Sequence, residues 1–291
     1  MSTKPFAYEW MTKHTPQAEW IEGGGKFIWL ALFCTETGAG LFFVSIFFNN
    51  TLGMLLGWIL CLILGAGFFL VHMGHPFKAI RAFRRPHSSW ISRGVILINS
   101  FGALGALYMG LLTFIPNANF TILRVIMAAI CLLVAIYAGM LMNYVRAIPL
   151  WNTGLLPLSY VVSGLWSGAE ILLAIHLITS KPVAQLEIWI RILLPSFALV
   201  LALYLISIAS VSVIGKRSIK RIVAGDLSSL FYVGAVCVGL ALPMVVLLYS
   251  LSAGIQAVPY GMVLLAILCG LIGDLSIRYC ILKGALYPPV I

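Results

Sequence analysis

Residues 122–144 read ILRVIMAAICLLVAIYAGMLMNY and residues 155–179 read LLPLSYVVSGLWSGAEILLAIHLIT, with only VRAIPLWNTG between them. Each run exceeds the roughly 20 apolar residues a helix needs to cross the hydrocarbon of a bilayer. The connector holds Pro149 and Gly154, residues that interrupt helices. The pair therefore reads as two membrane helices joined by a short surface loop. Extending the same test in both directions gives eight spans, near 27–48, 52–73, 94–114, 122–144, 155–179, 188–214, 228–250 and 259–282. The expected fold is an all-α integral membrane protein. An interfacial segment over 1–25 precedes an eight-helix domain over 26–283, and a tail over 284–291 follows it.

Composition points the same way. Of 291 residues, 62% are hydrophobic and 9% charged, and the mean hydropathy is +1.07. Soluble domains carry about 25% charged residues. Disorder, a coiled coil and a soluble disulfide scaffold are excluded, and little chain is left for a soluble catalytic domain. The first 25 residues lack a cleavable apolar core. Their Phe6, Tyr8, Trp10, Trp20 and Ile21 favour an ordered interfacial segment over a disordered leader.

The net charge of +10 is a topology signal. An even number of spans puts both termini on one side. Of 18 basic residues, only Arg124, Lys181 and Arg191 lie near the opposite side, which leaves 15 on the side of the termini. The loop over 74–93 carries Lys78, Arg81, Arg84, Arg85 and Arg93, and the stretch over 215–227, read as a loop, carries Lys216, Arg217, Lys220 and Arg221. The positive-inside rule makes that side cytoplasmic. Nucleic-acid binding has no soluble basic domain to support it.

The six cysteines, Cys34, Cys61, Cys131, Cys237, Cys269 and Cys280, all fall inside apolar spans and form no CxxC pair. They read as small buried hydrophobes, and the chain is expected to hold no iron–sulfur cluster. A haem bound by two histidines needs them at matched depth. His72 and His176 sit near opposite faces, so no haem is expected.

Ionisable groups at membrane depth are costly and commonly functional. Here they are Glu36, His72, Glu170, His176, Asp274 and Arg278, with Asn99, Tyr137, Asn143 and Tyr144 as neutral additions. Asp274 and Arg278 are spaced i,i+4 and can pair on one helix face, either as packing or as part of a proton path. Glu36 is either held neutral by burial or part of a proton path, and Glu170 and His176 either relay protons with it or are structural. His72, Tyr137 and Asp274 all lie toward the terminus-side ends of their helices. A shallow pocket holding His72 and Tyr137 has what a quinone site requires: groups that exchange protons beside an apolar slot.

The stretch from Tyr137 to Ala169 resembles the signature of the polysulfide reductase membrane subunit family (NrfD/PsrC-like, with DmsC-type anchors as relatives). The matching residues are Tyr137, Gly139, Pro149, Leu150, Trp151, Asn152, Leu156, Pro157, Leu158, Ser163 and Gly164. Weaker matches are His72-Met73-Gly74-His75-Pro76, Thr37 to Gly40, Ser89-Trp90, Gly273-Asp274 and Arg278-Tyr279. The resemblance implies a haem-free subunit of the prokaryotic cytoplasmic membrane that binds menaquinone or ubiquinone. It implies docking to a four-cluster ferredoxin-like iron–sulfur subunit and, through it, to a molybdopterin-containing catalytic subunit. Substrate chemistry then belongs to the partner. The family's quinone-ligating tyrosine falls on Tyr137 and its quinol-associated histidine on His72. Trp151, Asn152 and Asn143 are expected near the pocket, with Glu36 as a further ligand. Glu36, Asp274, Arg278, Glu170 and His176 are expected to handle protons, and Lys78, Arg81, Arg84, Arg85, Arg93 and Arg146 to face the partner. The chain departs from the family where a helix-1 Asn/His pair is replaced by Trp29 and Leu32, and where an acidic residue opening helix 3 is replaced by Arg93 or Gly94. A secondary transporter and an anchor without quinone are the rival readings; no 4+4 sequence repeat supports the transporter.

Overall fold

The structure, a computed structural model, describes residues 16–73, 81, 83–84, 86–115 and 118–288. In chain order its helices are α1 (Lys26–Phe47), α2 (Thr51–Met73), α3 (Trp90–Phe114), α4 (Thr121–Asn143), α5 (Leu155–Ile178), α6 (Ala184–Val211), α7 (Val213–Ala224), α8 (Leu230–Ala253) and α9 (Tyr260–Lys283). All but α7 are long and apolar enough to cross a membrane, so the described residues contain the eight expected spans.

The boundaries differ from expectation where polar residues extend or stop a helix. α3 begins at Trp90 rather than 94, because the Ser89 hydroxyl accepts the Ser92 N–H at 3.4 Å. α6 begins at Ala184 rather than 188, since the Glu187–Arg191 pair at 2.6 Å stabilises its first turns. It stops at Val211, where Ser212 is extended.

The stretch over 215–227, read as a loop, is mostly helix. Ser212 caps α7 by accepting the Gly215 N–H at 2.9 Å. Gly215, Ser218 and Ile222 are buried, while Lys216 and Lys220 face outward, the pattern of an interfacial amphipathic helix. Arg221 fastens its end by donating to Asp226 Oδ1 and to the Lys283 carbonyl, both at 2.9 Å. The Arg221 hydrogen bonds hold the Asp226 carboxyl below its ordinary range.

The spans form two four-helix rings. α1 to α4 pack in one circuit, and α5, α6, α8 and α9 in another. The rings join where α1 and α4 meet α5 and where α1 meets α9, which makes α1 the most enclosed span. Helices in lipid gain little from hydrophobicity and rely on close backbone approach at small residues. A Cβ on Gly40 would collide with the Gly164 backbone, and one on Gly168 with the backbone of Gly40 and Leu41. Gly38, on another face of α1, meets Cys61 and Gly57 of α2 in the same way. Gly40→Val should therefore cost about 3 kcal/mol, the upper end of overpacking, because the obstacle is backbone. Thermal unfolding in detergent measures this, and an unchanged midpoint refutes the α1–α5 contact.

Two π-helical segments interrupt the bundle, Leu60–Ala66 in α2 and Leu230–Ala241 in α8. Before Ala66, α2 packs against both α1 and α3; beyond it, Gly67–Met73 leans on α1. The described part of the N-terminal segment meets the C-terminal end of the chain. Gln17 N–H donates to the Ala285 carbonyl at 2.9 Å, and Pro16 bridges to Leu286. Phe6, Tyr8 and Trp10 lie outside the described residues.

Candidate functional site

The divergence of α2 from α3 leaves a cleft of about 570 Å³ in the first ring. Its walls are apolar, among them Ile28, Leu62, Phe69, Leu70, Ile91 and Ile98, and three uncharged or titratable polar side chains border it: His72, Asn99 and Tyr137. His72 is brought there by the last turn of α2, Asn99 by α3 and Tyr137 by α4.

Each of the three leaves a polar atom for a ligand. Tyr137 is 5% exposed, and its ring lies where a Cβ on Gly94 would sit. A glycine at the start of α3 is thus what admits the phenol. Its hydroxyl makes no hydrogen bond among the described residues. His72 Nδ1 lies 3.1 Å from the Gly24 carbonyl. A carbonyl only accepts, so the proton is assigned to Nδ1 and Nε2 is left as an acceptor. Asn99 donates its amide to the Val95 carbonyl at 2.7 Å, which leaves Oδ1 to accept.

Other expected ligands are elsewhere. Trp151 is fully buried, donates Nε1–H to the Ile281 carbonyl at 3.0 Å, and packs against Trp20, which does line the cleft, with ring centroids 5.0 Å apart and planes tilted by 44°. It supports the wall from behind. Asn152 is exposed, Asn143 half-buried and Glu36 fully buried; none borders the cleft. Trp29, at one of the departures from the family, donates to the Leu275 carbonyl at 3.0 Å and holds α1 to α9.

A second centre lies where the rings join. Arg278 of α9 grips Glu36 of α1 with both terminal nitrogens, one at 2.6 Å from Oε1 and the other in contact with Oε2. The same guanidinium reaches Ser163 Oγ at 2.7 Å and Asp274 Oδ2 at 3.0 Å. Ser163 donates to Glu36 at 2.8 Å, Ser167 donates to Asp274 at 3.0 Å, and the Arg278 guanidinium sits 4.6 Å above the Tyr160 ring. Gly164 is required beside this cluster, since a Cβ there would strike Glu36. The expected Asp274–Arg278 pair is present, but Arg278 is shared with Glu36. Two carboxyl groups and one guanidinium are neutral together only when one carboxyl holds a proton. The cluster is thus chemically suited to bind and release one.

One turn further along α5, Glu170 packs against Gly270, with Oε2 lacking a partner among the described residues. It borders a cavity of about 40 Å³ that Glu187 and Ser250 also line, room enough for a water. Ser163, Ser167 and Glu170 are spaced i, i+4, i+7 on one face of α5, a signal available in the sequence but read only for Glu170. His176 stands apart: Nδ1 is 2.7 Å from the Pro182 carbonyl, and its ring meets Phe48. No hydrogen bond among the described residues joins it to this series.

Of the expected docking residues, Arg81, Arg84 and Arg146 are exposed. Arg93 is committed to its own loop, donating to the Pro86 and His87 carbonyls at 2.9 Å and covering Trp90 at 4.6 Å. Lys78 and Arg85 lie outside the described residues.

A family model described as polysulphide reductase, NrfD, matches residues 11–288. No curated protein matches the chain. The family match spans both rings, the cleft and the buried ion cluster, and the chain belongs to the polysulphide reductase NrfD family.

Proposed function

We propose that this membrane subunit of an oxidoreductase complex binds a quinone in the first-ring cleft and exchanges electrons with a docked iron–sulfur protein. The supporting observation is the convergence of Tyr137, His72 and Asn99 on one apolar cleft in a chain of this family. A bound quinone, menaquinone or ubiquinone, supplies two-electron, two-proton chemistry. The chain's own part is to hold the head and manage its protons. The Tyr137 hydroxyl can donate to a ring oxygen, His72 Nε2 can accept a proton, and Asn99 Oδ1 can orient a hydroxyl. Exposed Arg81, Arg84 and Arg146 offer charge to the partner on the side of the termini. By the positive-inside rule that side faces the cytoplasm of a prokaryotic inner membrane. A molybdopterin-containing subunit beyond the iron–sulfur protein completes the proposed complex. Glu36, Asp274, Arg278 and Glu170, with Glu187 beyond the small cavity, are proposed to hold and pass protons.

Solvent extraction of the purified complex tests the proposal. About one quinone per chain, together with iron absorbance from the partner, is expected. An intact iron-containing complex without quinone leaves a purely structural anchor, and a chain that purifies alone and moves a solute favours the transporter.

A further inference from the structure

Helix α7 joins the spans α6 and α8 of the second ring. It carries Lys216, Arg217, Lys220 and Arg221 and no acidic residue. Gly215, Ser218 and Ile222 are buried. A Cβ on Gly215 would strike the Ile208 carbonyl of α6, and one on Gly284 would strike Ile222. With the Arg221 bond to the Lys283 carbonyl, these contacts lay α7 across the terminus-side ends of α6 and α9. Val213, Lys216, Lys220 and Ala224 recur at helical spacing on the opposite face, and all four are exposed.

An amphipathic helix at a membrane surface ordinarily gives its apolar face to lipid. Here protein takes that face, and the basic face is left to the surroundings. Arg221 is bonded to Asp226, whereas Lys216 and Lys220 make no hydrogen bond or ion pair among the described residues. Beside the two lysines lies a surface made for acyl chains. Leu199, Leu203 and Ile206 form an exposed stripe along the span α6, and Val211 at its end is 77% exposed. Exposed Val213 continues it into α7, about one turn before Lys216.

We propose that the exposed face of α7 is a binding site for an anionic phospholipid of the terminus-side leaflet, with Lys216 and Lys220 on its phosphate and its acyl chains along Leu203, Ile206 and Val211. Residues four apart on a helix have Cβ atoms about 6 Å apart, so both ammonium groups can reach one headgroup. A lipid fits better than a second protein because the apolar half of the site belongs to a membrane span and is reached from the bilayer. The charge selects anionic over zwitterionic headgroups. The proposal does not depend on what the first-ring cleft binds.

The test is native mass spectrometry of the purified full-length chain in detergent. The probes are phosphatidylglycerol, phosphatidylcholine with the same acyl chains, and glycerol phosphate, which has the charge without the chains. Wild-type protein is expected to bind phosphatidylglycerol about 25-fold more tightly than phosphatidylcholine, the effect of two basic residues at a membrane surface. Lys216→Gln and Lys220→Gln should each lower that affinity about fivefold. The double variant should bind both lipids alike, with phosphatidylcholine unchanged. Lys181→Gln, an exposed charge on the opposite side, should change neither. Equal wild-type affinity for the two lipids overturns the proposal, as does an equal loss in Lys181→Gln, which would make the effect one of overall charge. Glycerol phosphate binding as tightly as phosphatidylglycerol would overturn the lipid in favour of a free phosphate ester. If the double variant keeps its phosphatidylglycerol but loses the iron of an assembled complex, the face docks protein and the proposal falls.

Discussion

Arg278→Met is expected to lower the unfolding midpoint of the detergent-solubilised protein by roughly 10 °C, a loss of about 3–5 kcal/mol. The size follows from what remains behind. Glu36 is 0% and Asp274 1% exposed, and both are bonded to the one guanidinium. Without it, two carboxyl groups stay inside a membrane bundle, where each must be protonated or uncompensated. Glu36→Gln should behave differently. The amide oxygen still accepts from Ser163 and Arg278, and the remaining Asp274–Arg278 pair is neutral, so the expected cost is about 1 kcal/mol. Adding Glu36→Gln and Asp274→Asn to the Arg278→Met chain should recover most of the loss, because the cluster is again uncharged. An Arg278→Met midpoint equal to that of the wild type would refute the shared ion pair. The comparison also separates two roles: a purely structural Glu36 tolerates glutamine in turnover assays, whereas a proton-carrying Glu36 does not.

That shared pair shows where sequence reading stops. Asp274 and Arg278 are four residues apart, so their pairing follows from helix geometry alone. Glu36 lies 242 residues from Arg278, and only the packing of α1 against α9 and α5 brings it into reach. The eight spans were legible because each is a long apolar run. α7 was not, because its charges fall at i and i+4 and resemble a loop when only hydropathy is weighed; the Ser212 cap and the buried Gly215, Ser218 and Ile222 were the missed signals. Tyr137 and His72 were legible as a pair by depth, both being near the terminus-side ends of their helices. Asn99 shares their cleft because α3 starts on that same side. Trp151 misled for a physical reason: a motif tryptophan beside a loop suggests a ligand, yet its indole is consumed in holding α9 and backing Trp20.

Quinone turnover by the assembled complex provides the most direct test of the cleft. Tyr137→Phe is expected to reduce turnover about 10²-fold, the lower range for loss of a positioned proton donor or acceptor. It should leave stability nearly unchanged, because the hydroxyl has no partner among the described residues to orphan. His72→Ala should lower turnover by a similar factor, since it removes the Nε2 acceptor, and it also breaks the contact with Gly24. If the two side chains act on one head group as a unit, the double variant falls well short of the product of the single effects. Gly94→Ala tests the geometry from the other side. Its methyl group would occupy the space of the Tyr137 ring, so it should impair turnover with the hydroxyl still present. All four chains must be compared at equal iron content, the measure of whether the proposed iron–sulfur partner remains docked. Normal turnover in the Tyr137→Phe, His72→Ala double variant would remove the quinone site from this cleft, however well the cleft is formed.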